Sequence, residues 1–185
     1  MHRVQSVPVE PMTAEAFAPF GTLYLMHERP AGERRTIRWP FECDGRTTVS
    51  TIWQPAGGRE FTLLERHHDV TQAFVQIDGD PAVVCVAAPT GPQPESIPRP
   101  EHVRAFLIPS GVPYAFHRRV WHSLDRFVLG PTGATFVILN TEPNPTQVVD
   151  YADGACTLWT DLDADPEPAR RRLPGTFGVR FELGL

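Results

Sequence analysis

Residues 59–89, REFTLLERHHDVTQAFVQIDGDPAVVCVAAP, carry the clearest fold signal in the chain. The segment contains three short runs rich in Val, Leu, Phe and Ile, and these residue types favour β-strands. The tetrapeptide DGDP at 78–81 separates the second run from the third and has the composition of a tight turn. The segment therefore predicts three short strands, the last two of them separated by a turn.

Short strand-like runs continue on both sides of this segment. Five further examples are TTVSTIWQP (47–55), VRAFLIP (103–109), RFVLG (126–130), ATFVILN (134–140) and FGVRFEL (177–183). The chain also contains twenty scattered prolines, which disfavour long helices. Many short strands with little helix predict an all-β fold, either an antiparallel barrel or a sandwich. A length of 185 residues suits one domain.

Two short segments have helical character. In TAEAFAPF (13–20), Thr13 is a candidate N-cap, and the helix should end before Pro19. A second short helix is predicted in 165–173, where two prolines suit a first turn. The core is expected to contain three of the four tryptophans, Trp39, Trp53 and Trp159.

Charge and composition exclude several classes of protein. The net charge is -5, and no basic tract of the kind that follows a phosphate backbone is present, which argues against nucleic-acid binding. No window approaches the ~20 apolar residues of a membrane-spanning helix. The three cysteines follow no motif spacing, which predicts free thiols and a cytoplasmic protein.

Two histidine-containing segments indicate chemistry. Side chains at positions i and i+2 of a strand share a face, so Glu65 and His67 lie together while Arg66 faces the other side. The second segment is GVPYAFHRRVWHSL (111–124), with histidines at 117 and 122. Because imidazole titrates near neutral pH, histidines of this kind are candidate acids and bases. We interpret the two segments as two halves of one site.

The spacing Glu65-x-His67-x4-Gln72-x6-Gly79 resembles the first metal-binding motif of the cupins, with oxygen donors in place of a histidine and a glutamate. In the second cupin motif, Tyr114 stands at the histidine position and His117 follows three residues later. The resemblance implies a cupin-like antiparallel β-barrel. It leaves open a divalent metal (Ni, Mn, Fe or Zn) on the candidate ligands Glu65, His67, Gln72 and His117.

A more specific resemblance is to the ureidoglycolate lyase family, also called ureidoglycolate hydrolase. The segments ERHHDVTQAF (65–74) and HRRVWH (117–122) are similar to two family motifs and occur in the same order. The opening VEPMTAEAFAPFGTL (9–23) also resembles that of the family. The similarity extends over roughly residues 7 to 140. We therefore predict one cupin-like domain over 1–185, with 145–185 as a less certain C-terminal extension.

The resemblance implies a lyase that splits ureidoglycolate into glyoxylate and urea, within purine catabolism by allantoin degradation. The expected catalytic residues are His67, His117 and His122. The expected substrate-binding residues are Glu65, Arg66, Gln72, Tyr114, Arg118 and Trp121, with Arg66 or Arg118 gripping the carboxylate.

Two alternatives stay open. One is a metal-dependent cupin enzyme, an oxygenase or isomerase, that acts on another small carboxylic acid. The other is a barrel that binds a small acid without turnover. In each case the partner is a small-molecule acid, and an exposed strand edge is expected to form a homodimer.

Overall fold

The computed structural model describes residues 3–25, 32, 35–175 and 177–185. Its strands, in chain order, are β1 (Arg3–Pro11), β2 (Gly21–Leu23), β3 (Arg46–Gln54), β4 (Glu60–Phe61), β5 (Leu63–His67), β6 (Ala73–Gly79), β7 (Ala82–Ala87), β8 (Arg104–Leu107), β9 (Tyr114–Phe116), β10 (Trp121–His122), β11 (Phe127–Val128), β12 (Ala134–Glu142), β13 (Thr146–Asp150), β14 (Ala155–Trp159), β15 (Ala169–Arg172) and β16 (Val179–Gly184). Helix in the described residues is limited to α1 (Ala14–Phe17) and a 3₁₀ turn at Pro100–His102. The predicted all-β fold class is confirmed.

The strands form two sheets. The large sheet has the order β15-β14-β13-β5-β10-β7-β8-β1-β16-β4, with β11 also paired to β7, and the small sheet has the order β2-β9-β6-β12-β3. The pairings are antiparallel except for those of β1, which runs parallel to both β8 and β16. The large sheet is strongly curled into a half-barrel, as in a cupin-like fold.

Strand β7 separates two hydrophobic cores. Val83, Cys85 and Ala87 belong to the core on one face of the large sheet, which we call the outer core. Val84 and Val86 alternate with them and belong to the inner core, which also includes aromatic residues of β6, β9 and β12 in the small sheet. Burial on both faces explains why this strand is apolar throughout rather than alternating.

The local predictions have mixed outcomes. Helix α1 is confirmed, since the Thr13 hydroxyl accepts a hydrogen bond from the Ala16 amide at 3.1 Å. The second predicted helix is wrong, because Ala169–Arg172 form β15 and pair with β14. The expectation that Trp39 and Trp53 lie in the core is also wrong, since they are 38% and 62% exposed.

The C-terminal segment 145–185 supplies four strands of the large sheet. Strand β13 pairs with β5 and places Thr146 opposite His67. Strands β14 and β15 extend the sheet beyond β13, and β16 pairs with β1. None of the helices in the described part of the chain is long and apolar enough to cross a membrane.

Candidate active site

Three buried polar side chains meet on the inner face of the large sheet. Glu65 and His67 share this face because they are two residues apart on β5. His122 on β10 is paired directly with Glu65, so its side chain lies on the same face. The Glu65 Oε1 atom lies 3.9 Å from His67 Nε2 and 3.5 Å from His122 Nδ1.

Hydrogen bonds set the tautomers of the two imidazoles. The Thr146 hydroxyl donates to the Asn144 carbonyl at 3.0 Å, so it accepts from His67 Nδ1–H at 2.8 Å. His122 Nδ1–H donates to the carbonyl of Ser123 at 3.0 Å. Each neutral ring therefore has its lone pair on Nε2. Both Nε2 atoms are buried and have no hydrogen-bond partner among the described residues.

Burial controls the charges in this group. It raises the pKa of Glu65 to about 7, and it lowers the pKa of His67 to about 3 and that of His122 well below its ordinary value. The positive charge of Arg126 lowers all three pKa values. It therefore opposes the effect of burial at Glu65 and adds to that effect at the two histidines. Near neutral pH both imidazoles are uncharged.

A narrow cleft leads to the histidines. It is lined by His67, Val70, Gln72, Phe116, His117, Arg119, Val120 and His122. His67 and His122 are buried, whereas His117 is exposed and its Nε2 lies 3.1 Å from the Ala18 carbonyl. The structure thus places His117 at the mouth of the cleft and the other two histidines at its base.

Arg66 and Trp121 lie away from this cleft. Arg66 follows the inward-facing Glu65 on β5, and Trp121 precedes the inward-facing His122 on β10. Because side chains alternate along a strand, both face the outer core. The Arg66 guanidinium stacks over the Trp121 ring at 4.6 Å. Its Nε and Nη2 donate to Gln147 Oε1, and its Nη1 donates to Thr90 Oγ1 and to the Gly91 carbonyl. Arg66 therefore anchors the proline-rich segment 88–102 and is not brought together with the site residues.

Two more of the predicted substrate-binding residues, Arg118 and Tyr114, lie in different surroundings, one at the surface and one in the interior. Arg118 forms a two-pronged ion pair with Asp44, each contact at 2.7 Å, and lines an outer groove beside His117. Tyr114 is fully buried on β9 and stacks on Phe74 at 5.4 Å. Its hydroxyl has no partner among the described residues, and burial raises its pKa.

A family model for ureidoglycolate lyase matches residues 4–155 of this chain. The chain belongs to the ureidoglycolate lyase family. This confirms the family predicted from the two histidine-containing segments.

Several curated relatives carry the name ureidoglycolate lyase. The protein from Rhodobacter capsulatus is 34% identical over 142 residues, which are 71% of this chain and 82% of the relative. The protein from Pseudomonas savastanoi pv. phaseolicola is 32% identical over 130 residues, 62% of this chain and 71% of the relative. A Pseudomonas aeruginosa protein is 31% identical over 131 residues, 64% of this chain and 75% of the relative.

In this member of the ureidoglycolate lyase family, Glu65, His67 and His122 form a group that can hold a metal ion. One ligand atom of each lies within 4.8 Å of the others. Two unpartnered Nε2 atoms and one carboxylate suit ions such as Zn, Ni, Fe or Mn. Of the ligands predicted from the sequence, Glu65 and His67 are in this group, while His122 takes the place expected for His117. The Gln72 Oε1 atom is also buried without a partner in the described structure, and Gln72 lines the same cleft.

Sequence reasoning missed one charged residue of the interior. Arg126 is only 5% exposed and its guanidinium lies 4.0 Å above the Phe74 ring. It opens the strand-like run RFVLG, whose apolar composition indicated only a strand. No local pattern in the sequence marks Arg126 as an interior residue.

Proposed function

We propose that this protein cleaves ureidoglycolate into glyoxylate and urea. The observation that carries the proposal is a Glu65 carboxyl group 3.9 Å from the His67 Nε2 atom and 3.5 Å from the His122 ring, in a group where both Nε2 atoms are buried without a partner in the described residues. In ureidoglycolate one carbon bears the hydroxyl, the carboxylate and the ureido nitrogen. Cleavage must remove the hydroxyl proton and protonate the departing nitrogen, so it needs an acceptor and a donor a few ångströms apart.

The residues of the site can move both protons. The Nε2 of His67 or His122 accepts the hydroxyl proton, and the freed electron pair forms the C=O bond of glyoxylate as the C–N bond breaks. The departing nitrogen takes a proton from the Glu65 carboxyl group and leaves as urea. The imidazolium then returns its proton to the Glu65 carboxylate, and the resting site is restored. General acid–base catalysis of this kind contributes ~10²–10⁴-fold to the rate.

The remaining polar groups have supporting roles in the proposal. Gln72 accepts a hydrogen bond from the ureido group through its Oε1 atom, which is buried in the cleft wall. His117 contacts the substrate at the mouth. A divalent ion held by Glu65, His67 and His122 would polarise the substrate hydroxyl and lower its pKa.

The same three-residue group favours a second candidate function. A metal-dependent enzyme, an oxygenase or isomerase, that acts on another small carboxylic acid would use a histidine and carboxylate ligand set of this type. The two candidates differ in their product and in their need for metal.

The test measures glyoxylate release from racemic ureidoglycolate by the purified protein, with and without a chelator. Glu65→Gln and His122→Gln should each lower the turnover number at least ~100-fold, because each removes a proton-transfer group. The control is His102→Gln, since His102 is exposed on the 3₁₀ turn. No glyoxylate from the wild-type protein, together with stoichiometric binding of metal, would favour the second candidate.

We propose further that the chain is one cupin-like domain that works as a cytoplasmic homodimer. Its three cysteines are free, which suits a reducing compartment. The dimer would form along β3, an edge strand of nine residues with exposed apolar side chains at Val49, Ile52 and Trp53.

A further inference from the structure

We infer that Arg126 binds the carboxylate of the substrate inside the barrel, through the edge of its guanidinium formed by Nε and Nη2. The inference rests on the proposed function for the identity of the substrate. It assigns the carboxylate to a residue other than Arg66 and Arg118, whose guanidinium groups are engaged elsewhere.

The first argument is the unequal hydrogen bonding of Arg126. A guanidinium has five N–H donors. Nη1 of Arg126 donates to the Leu124 carbonyl at 3.3 Å and to the Ser123 carbonyl at 3.5 Å. Nε and Nη2 are buried and have no partner in the described part of the chain. Burying charged donors without acceptors costs folding free energy. Two such donors on one guanidinium therefore indicate a ligand that accepts hydrogen bonds from both.

A partly exposed arginine beside the inner core, Arg104, shows what this edge can hold. Arg104 donates from Nε to Glu10 Oε1 at 2.7 Å and from Nη2 to Glu10 Oε2 at 2.6 Å. Like Arg126, it stacks on an aromatic ring, that of Phe106 at 4.8 Å. Two parallel N–H···O bonds of this kind are the preferred way for an arginine to grip a carboxylate. In Arg126 the same two nitrogens are the unpartnered ones.

The third argument is the position of Arg126 beside the site. Its guanidinium lies 4.0 Å from the centre of the Phe74 ring and 5.8 Å from that of Phe116. Phe116 also contacts the His122 ring, which stacks on it at 4.7 Å with an angle of 13° between the planes. Tyr114 stacks on Phe74. One cluster of aromatic rings therefore carries the guanidinium, the imidazole and the Tyr114 phenol, and the nearby guanidinium opposes the effect of burial on the pKa of that phenol.

Charge supports the same assignment. The Glu65 carboxyl group lies 3.9 Å from His67 and 3.5 Å from His122, whose rings are uncharged, and no salt bridge among the described residues joins it to Arg126. A small acid bound between Arg126 and the histidines would compensate the buried positive charge and present its hydroxyl-bearing carbon to Nε2.

The experiment compares glycolate with glycolamide, which differ in the carboxylate alone. Calorimetry should show that the wild-type protein binds glycolate at least ~10-fold more tightly, because hydrogen bonds to a charged group are the stronger ones. Arg126→Met should lose this preference, and Arg126→Lys should keep part of it. The Michaelis constant for ureidoglycolate should rise at least ~10-fold in Arg126→Met and less in Arg126→Lys.

Thermal unfolding without ligand separates a binding role from a structural one. Arg126→Met should change the melting temperature little, because the removal of buried unpartnered donors offsets the loss of the Nη1 bonds to the Ser123 and Leu124 carbonyls. The matched control Arg104→Met removes an arginine that is satisfied by Glu10, so it should lower the melting temperature while the glycolate preference stays intact. An Arg126→Met protein that is destabilised like the control and still prefers glycolate would overturn the inference, as would a wild-type protein without the preference.

The results also separate this inference from the proposed function. If the wild-type protein releases no glyoxylate but shows a glycolate preference that depends on Arg126, the lyase activity is refuted and the carboxylate site stands. If it cleaves ureidoglycolate and the Arg126 variants keep the wild-type Michaelis constant, the carboxylate site is refuted and the lyase activity stands.

Discussion

The chemistry of His67 is set by a hydroxyl group on another strand. Thr146 accepts from Nδ1–H because its own proton is donated to the Asn144 carbonyl. This chain of hydrogen bonds holds the ring in the tautomer that turns the Nε2 lone pair toward Glu65. Partners of this kind orient catalytic and metal-binding histidines in many proteins, and their loss typically lowers activity or metal affinity ~10–100-fold.

Thr146→Val should therefore lower the turnover number at least ~10-fold, because Nδ1 loses its acceptor and the ring can take the other tautomer. The variant should also lose about 1–3 kcal/mol of stability, the usual cost of leaving a buried donor unpaired. Steady-state kinetics and urea unfolding measure the two effects. Thr157→Val, on β14, makes the same chemical change two strands from β5 and should alter neither. A Thr146→Val enzyme with wild-type turnover would show that the tautomer of His67 is irrelevant.

At the scale of elements, β5 and β10 serve two purposes at once. Their inward residues form the candidate site, and their outward residues, Arg66 and Trp121, hold the proline-rich segment 88–102 against the sheet. Tyr151 contributes to the same attachment, since its hydroxyl donates to the Pro98 carbonyl at 2.7 Å. The long loop is thus fixed by hydrogen bonds to side chains rather than by pairing of its own backbone into the sheet.

Gln147→Leu tests this anchoring. The substitution keeps the volume of the side chain but removes the oxygen that accepts from Arg66 Nε and Nη2, at 3.0 and 2.7 Å. We expect a loss of about 3 kcal/mol in the free energy of unfolding, because the charged Nε donor would be buried without an acceptor and Nη2 would keep only its bond to the Gln93 carbonyl at 3.2 Å. Gln5→Leu on β1 is the control, because among the described residues the side chain of Gln5 donates only to the carbonyl of the neighbouring Ser6. Equal stability of the two variants would show that Arg66 does not anchor the loop.

At the scale of the whole molecule, strand β3 leaves one edge of the small sheet uncovered among the described strands. Strand β3 pairs with β12 on one side, and its other side is unpaired among the described strands. Val49 is 70% exposed and Trp53 is 62% exposed. An uncovered, apolar edge strand of this length is a template for pairing with another chain.

We expect a dimer in light scattering coupled to size exclusion. Val49→Lys combined with Trp53→Lys should give a monomer, because like charges on an edge strand oppose pairing between copies. Leu129→Lys, which alters an exposed apolar residue outside the small sheet, should remain dimeric. A wild-type protein that elutes as a monomer at micromolar concentration would contradict the proposed dimer.

Local patterns in the sequence were sufficient for several features of the protein. The strand-rich, proline-punctuated composition predicted the all-β fold, and the Thr13 N-cap predicted α1. Alternation along β5 placed Glu65 and His67 on one face, and the order of two motifs predicted the family. These features depend on residues that are close in sequence, where strand geometry and capping act directly.

The partners of each side chain depended on long-range pairing. His122 rather than His117 joins the site because the register of β10 on β5 sets it opposite Glu65. The same pairing turns Arg66 outward, where Gln147 satisfies it, while the turn before β11 carries Arg126 into the interior. Burial and hydrogen-bond partners arise between segments far apart in the chain, and no local pattern encodes them. For this reason the sequence shows that Arg66 and Arg126 are charged, but only the tertiary structure shows which groups each of them contacts.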